Sequence, residues 1–377
     1  MKIVLAPDSF KNSLTAKQVA QSMEAGLKQV LPDAEYRQVP MADGGEGTVQ
    51  SLVDAKNGQI LTEGVLDPLG NKVDAHFGLI DEGKVAVIEM AEASGIQYIN
   101  QQTQNPYITT TYGTGQLIKA AIKTGAKTVI IGIGGSATND GGAGMAQALG
   151  AKLLNKNGEA VQFGGADLIN LAKIDVSSMM PELKNVKVII ASDVTNPLTG
   201  PNGASHVFGP QKGATPEMVE VLDQALSHYA DIIKQDLHLD LEQKAGAGAA
   251  GGLGTGLLAF TNSEMQPGVK IVVEYTGLKK QAEGADYVFT GEGQIDFQTK
   301  YGKTPMGVAQ AVKEVNPDVK VIAIAGSVGE RTEELYPIGI DAIFSCVPVV
   351  EDLETAIKDT DPNIQKVIKN IGRLIMK

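Results

Sequence analysis

Thr128-Val129-Ile130-Ile131-Gly132-Ile133-Gly134-Gly135-Ser136-Ala137-Thr138-Asn139-Asp140-Gly141-Gly142 decides the fold class. Its first five residues form a short apolar run rich in Val and Ile, the pattern of a parallel strand covered on both faces. The glycines permit a tight turn, and a helical pattern follows. Strand, glycine-bearing turn and helix in immediate succession are the repeating unit of α/β architecture. Similar runs recur at residues 2–6, 35–39, 85–89, 187–191, 287–290, 319–325 and 342–347. Amphipathic stretches lie between them. Residues 15–31 place Val19, Met23, Leu27 and Val30 on one stripe, with Thr15 and Gln18 spaced as a capping box. Thr215-Pro216 opens a second helix, and Thr304-Pro305 repeats that start signal ahead of Val308, Ala311 and Val312. The expectation is an α/β protein with largely parallel sheets. Its 377 residues suggest two or three domains. The glycine-rich stretch 244–256 (KAGAGAAGGLGTG) is expected to be a mobile loop.

Composition narrows the chemistry. Thirty-two Lys and Arg against 44 Asp and Glu give a net charge of −12, which repels nucleic acid and anionic lipid; neither is expected as a partner. Cys346 is the single cysteine, and His76, His206, His228 and His238 are the four histidines. Disulfide frameworks, Cys-rich zinc sites and Fe–S clusters are excluded. Cys346 sits in an apolar run and is expected in the core, while His206 is expected to be structural. Apolar runs stay below the ~18 residues of a membrane span, and the N-terminal run is too short for a signal peptide, so a cytoplasmic protein is expected. The chemistry must rest on carboxylates, lysines, hydroxyls and backbone amides.

Open α/β sheets bind ligands beyond the carboxyl ends of their strands, and five such ends are chemically loaded. They are Asp8-Ser9-Phe10-Lys11-Asn12-Ser13, Asp43-Gly44-Gly45-Glu46-Gly47-Thr48, the Gly134–Asp140 turn, Ser192-Asp193-Val194-Thr195-Asn196, and Gly291-Glu292-Gly293-Gln294-Ile295-Asp296. The third suits phosphate: Gly134 and Gly135 let amides approach an anion, and Ser136, Thr138 and Asn139 add polar contacts before a helix N-terminus. The bland alternative is a capped strand-to-helix turn. No Gly-Lys-Ser or Gly-Lys-Thr follows, so it is not a Walker loop. Gly132-x-Gly134-x-x-Ala137 and Gly246-x-Gly248-x-x-Gly251 match the dinucleotide fingerprint only loosely. Glu159 is a poor ribose-binding acid, and the second match has no strand before it. Transfer of a γ-phosphoryl group needs a divalent cation, a base near the attacking hydroxyl, and cations beside the developing charge. Asp8, Asp43, Asp193, Glu292 and Asp296 supply carboxylates; Lys11, Lys212 and Lys303 supply cations. Any single Asp after a strand has roughly even odds of being only a turn or cap residue, Asp140 above all.

Six blocks in order carry a resemblance: DSFKNS from Asp8, ADGGEGT from Ala42, GIGGSATNDGG from Gly132, DVTNPLTGP from Asp193, FGPQKGA from Phe208 and TGEGQID from Thr290. Together they resemble the bacterial glycerate kinase family, type I, across residues 1 to about 350. The resemblance implies ATP- and Mg²⁺-dependent phosphorylation of D-glycerate, with 2-phosphoglycerate favoured over 3-phosphoglycerate. It also implies two α/β domains. One is flavodoxin-like and built from residues 1–80 plus 284–377; the other is inserted at 81–283, with the active site in the cleft between. On this reading Lys11, with Ser9 and Asn12, takes the glycerate carboxylate, and Asp43 with the Gly44 and Gly45 amides orients its hydroxyls. Asp8 joins the substrate-binding set. Gly134, Gly135, Ser136, Thr138, Asn139, Glu292 and Lys303 hold ATP, and Lys212 stabilises γ-phosphate charge. Asp193 and Asp296 are the candidates for the metal or the base, the two roles not being separated, and Asp8 is a third claimant. A homo-oligomer is left open. Two other readings compete: an NAD-dependent dehydrogenase of a small hydroxy acid, which lacks a convincing His–carboxylate pair, and a non-catalytic small-anion sensor, against which the clustered carboxylates argue.

Overall fold

The computed structural model describes residues 1–350 and 352–376. The chain begins with β1 (Lys2–Leu5) and β2 (Glu35–Gln38). It continues through β3 (Gln59–Leu66), β4 (Lys72–Ile80), β5 (Val85–Glu89), β6 (Thr128–Gly132), β7 (Lys152–Asn155), β8 (Leu171–Asp175), β9 (Lys187–Ala191) and β10 (Ser263–Gln266). It closes with β11 (Tyr287–Ile295), β12 (Lys320–Val328) and β13 (Ala342–Ser345). Two units result: Met1–Asn57 with Pro267–Lys377, and Gly58–Gln266. Both boundaries fall earlier than expected. The β3–β4 hairpin joins the sheet of the second unit, and the helix Gly268–Thr276 packs on the helix Thr304–Val315 of the first.

The first unit is one parallel sheet in the order β13-β12-β11-β1-β2. Counted from β2 this is the flavodoxin-like order, whose direction switches between β1 and β11. Continuous apolar strands require cover on both faces. The helix Ala16–Lys28 starts at the expected Thr15–Gln18 capping box and presents Val19, Met23 and Leu27. These pack with Ile364, Ile368 and Ile371 of the C-terminal helix Thr360–Ile375 over Ile3, Leu5 and Phe289. Each such aliphatic side chain, fully buried, stabilises by about 1.5–3 kcal/mol. The two helices cross at Gly26, where a Cβ would lie 2.3 Å from Ile368 Cγ2; a larger residue would force them apart.

Two expectations for this unit change. Pairing of β11 with β12 continues to Ile295 and Val328, so most of the expected loop after residue 290 is strand. The helix at Thr304-Pro305 begins one residue early: Lys303 is its N-cap and Thr304 its first residue. The hydroxyl of Thr304 is thereby released from capping.

The second unit holds a six-stranded sheet, β10-β9-β6-β5-β4-β3. It is parallel from β10 to β5 and antiparallel from β5 to β3. Its core gathers Ile88, Val129, Ile131, Val188 and Ile190 under Leu117, Ile118 and Leu253. A separate antiparallel pair, β7 and β8, packs with the long helix Pro216–Leu237, whose Thr215 cap and proline stand as expected. The stretch 244–256 is not an exposed loop. Gly246, Ala247, Gly248 and Ala249 are buried, and the Gly251 carbonyl accepts from the Gly141 amide at 3.0 Å. Gly251 has φ +66, and a Cβ there would lie 1.9 Å from the Thr138 carbonyl oxygen. Its glycines let it pack directly beneath the turn that follows β6.

Candidate active site

In the first unit the carboxyl ends of β1, β11, β12 and β13 open onto a cavity of about 840 Å³. Asp8, Ser9, Lys11, Asn12, Asp43, Glu292 and Lys303 line one part of it. The chain leaves β1 in a tight turn that holds Asn12 at φ +63, a left-handed conformation that asparagine tolerates better than most side chains. Asp8 is buried. Its Oδ1 accepts from the Ser9 amide at 2.6 Å, and its Oδ2 accepts from the Thr304 hydroxyl. Burial, the largest influence, pushes its carboxyl up to about 6; the Thr304 bond opposes this and the Asp43 charge adds to it.

Glu292 projects from the extended end of β11. Its Oε1 accepts from Thr299 Oγ1 at 3.1 Å and faces Lys303 Nζ at 3.5 Å. Burial raises this carboxyl to about 7, with Lys303 pulling it down and Asp8 pushing it further up. Two carboxylates both raised by burial, with Asp8 pushing Glu292 further up, are a costly arrangement for stability alone, and such shifts concentrate where a site needs them. Asp43 accepts from the Gly45 amide at 2.9 Å through Oδ1. That amide is therefore spent inside its own loop rather than offered to a substrate.

Asp296 takes the cap role. Its Oδ1 accepts from the Gln298 amide at 2.8 Å, and its own amide donates to Thr299 Oγ1 at 3.3 Å, closing a capping box on the turn Phe297–Lys300. Thr299 in turn donates to Glu292, so Asp296 positions the glutamate from behind.

The expected phosphate residues sit in the second unit. Gly134 and Gly135 are exposed, and their amides have no protein partner among the described residues. Behind them Ser136, Thr138 and Asn139 are buried. Lys212 is completely enclosed and donates to Ser136 Oγ at 2.7 Å and to the Thr138 carbonyl at 2.6 Å. Burial brings its ammonium down to about 7, against the pull of Asp140. An enclosed lysine bound in this way shapes the turn; it does not reach out to a phosphate as expected. Asn139 donates to Ser205 Oγ at 2.9 Å. Asp140 bonds the amides of Thr111, Gly142 and Gly144, confirming it as a local organiser. His206 faces Glu220 and Asp223, a structural setting. Asp193 is exposed just beyond β9.

Within the first unit the structure thus brings together Asp8, Ser9, Lys11, Asn12, Asp43, Glu292 and Lys303. Glu292 and Lys303, expected to hold ATP, line the same cavity as the expected substrate residues. Sequence reading missed Thr304, Thr299 and the lining segment Gly326-Ser327-Val328. The last carried a usable signal, a glycine and a serine at the end of an apolar run. Cys346, expected in the core, is buried just past β13 and also lines the cavity.

Comparison with known proteins gives the family. A family model described as the glycerate kinase family matches residues 3–376. The chain is 52% identical over 375 residues to a glycerate kinase of Bacillus subtilis (strain 168), covering 100% of this chain and 98% of that protein. It is 48% identical over 372 residues to the glycerate 2-kinase of Escherichia coli (strain K12), covering 99% and 97%. The crystal structure of a candidate glycerate kinase 2 from Salmonella typhimurium LT2 superposes with a TM-score of 0.91 at 47% identity, over 100% of this chain and 98% of that one. Carboxylates and lysines gathered at the switch point of a flavodoxin-like sheet, with matches spanning both units, make this chain a kinase that belongs to the glycerate kinase family.

Proposed function

We propose that the protein transfers the γ-phosphoryl group of ATP to D-glycerate, giving 2-phosphoglycerate in preference to 3-phosphoglycerate. The observation that carries this reading is the set Asp8, Asp43 and Glu292 facing Lys11 and Lys303 in one cavity. Phosphoryl transfer demands positioning and charge neutralisation more than covalent help from the protein. Lys11, with Ser9 and Asn12, takes the glycerate carboxylate, and Asp43 accepts from a glycerate hydroxyl. Lys303 faces charge developing on the transferred group. Gly134 and Gly135 offer their amides to phosphate oxygens, with Lys212 holding the turn from beneath. The E. coli relative named a glycerate 2-kinase supports the regiochemistry.

The residues also suit magnesium. Among the described residues no group of three or more His, Cys, Asp and Glu side chains is arranged to hold a metal ion. Mg²⁺, however, binds through one or two carboxylates and completes its shell with phosphate and water. Asp8 and Glu292, the former raising the proton affinity of the latter, are the pair that would hold it; Asp296 is committed to its cap. When bound, the ion neutralises triphosphate charge. The reading is tested by incubating the protein with ATP, Mg²⁺ and D-glycerate. ADP release should depend on glycerate, and phosphorus NMR should show a phosphomonoester coupled to the single proton on C2. A phosphomonoester coupled to the two protons on C3 would overturn the regiochemistry, and glycerate-independent ATP loss would overturn the activity.

A further inference from the structure

The cavity of the first unit is larger and less polar than a three-carbon acid requires. Pockets of about 300–1,000 Å³ enclose ligands of drug size, and this one measures about 840 Å³. Beyond the carboxylates and lysines its wall turns apolar: Val328, Cys346, Val347, Val349, Ala356 and Ile357. These come from the ends of β12 and β13 and from the helix Leu353–Lys358. Val349 is 63% exposed and Leu353 76% exposed at the rim. Apolar side chains left open along one side of a charged cavity mark a ligand-binding wall. The wall lies along β11, β12 and β13, on the far side of the β1–β11 switch from Lys11 and Asp43. A ligand seated there meets apolar side chains beside β12 and β13 and the Lys303 ammonium at the polar end of the cavity.

We propose that this wall seats the purine base of the nucleotide, so that the first unit binds base and acid in one cavity. The proposal rests on the ATP reading above and adds to it the location of the base. It differs from the view that the glycine turn after β6 alone fixes the nucleotide. A base slid between aliphatic side chains needs shape and apolar contact, both of which the wall supplies.

The test uses the full-length protein and two variants, Ala356→Trp, which fills the wall, and Val349→Asp, which charges it at an exposed position. Folding is checked by circular dichroism. Titration with Mg·ADP should show affinity reduced at least tenfold in both variants. Inorganic tripolyphosphate, which has no base, should bind all three proteins within twofold of each other, and KM for glycerate should stay within twofold. If Ala356→Trp fails to fold, Val349→Asp decides alone. In parallel, photolabelling of the wild type with 8-azido-ADP should mark peptides containing Val347 or Ile357. Unchanged ADP affinity in a folded variant, or label found only on the second unit, overturns the placement while leaving the kinase reading intact. A wild type that binds no ADP and releases none from ATP overturns both.

Discussion

Thr304 shows how one hydroxyl can oppose the effect of burial on a carboxylate. Its bond to Asp8 opposes the upward pull of burial on that group. Thr304→Val should therefore raise the Asp8 pKa further and move the acid limb of the kcat/KM profile to higher pH, with a loss of about tenfold; Thr304→Ser should restore the wild-type profile. Glu292 offers a test free of turnover. Its folded pKa, about 7, lies above the ordinary 4.5, so its linkage stability is fully present below pH 4.5 and lost as pH rises through 7. In chelator, Glu292→Gln should lack that loss and gain on the wild type by on the order of 3 kcal/mol between pH 4 and pH 8. Denaturant titrations at the two pH values measure it, and equal differences at both would refute the assignment. Much of this cluster was legible in the sequence. Asp8, Lys11, Asp43 and Glu292 follow apolar runs directly, and chain position alone places such residues at strand ends. Thr304 was hidden because its place before proline reads as a cap, and only the displaced helix start frees it. Asp296 misled for the converse reason, since nothing local separates a cap carboxylate from a reactive one.

The eight parallel strands read from the sequence are all present as strands; all but the edge strands β2 and β13 bury their central residues, which leaves few polar interruptions to confuse the pattern. The strands that escaped reading are edge or paired ones with mixed faces. β3 is mostly exposed along its length, and β10, Ser-Glu-Met-Gln, has no fully buried residue. Their identity comes from a neighbour's open hydrogen bonds, which is tertiary information. The stretch 244–256 was misread for a similar reason: glycine signals freedom in a free chain, yet here it permits contact. Gly251→Ala tests this directly. With φ +66 and a Cβ destined to meet the Thr138 carbonyl at 1.9 Å, the substitution should destabilise the second unit by on the order of 3 kcal/mol. A calorimetric trace unchanged from wild type would show the contact to be relaxable.

At the scale of the molecule, a chain of net charge −12 must handle two anionic substrates. Among the described residues Lys11 and Lys303 are the cations lining the cavity, so on the proposed reading a divalent ion would have much of the neutralisation to perform. Chelation should abolish turnover, and Asp8→Asn and Glu292→Gln should each raise the Mg²⁺ concentration needed for half-maximal ADP binding. Unchanged Mg²⁺ dependence in both would remove the pair from the metal role. The interrupted architecture was legible only through family resemblance, and its boundaries shifted because β3, β4 and the helix Gly268–Thr276 choose sides by packing rather than by sequence signal. The account stands or falls on which carboxylate serves the reaction. Asparagine caps a helix as well as aspartate does, so Asp296→Asn should retain glycerate-dependent ADP release within a few-fold. Asp8→Asn should lose at least ~10²-fold without loss of folding. Steady-state kcat of these two variants, measured side by side, is the decisive comparison: the opposite ranking, with Asp296→Asn inactive and Asp8→Asn near wild type, would contradict it.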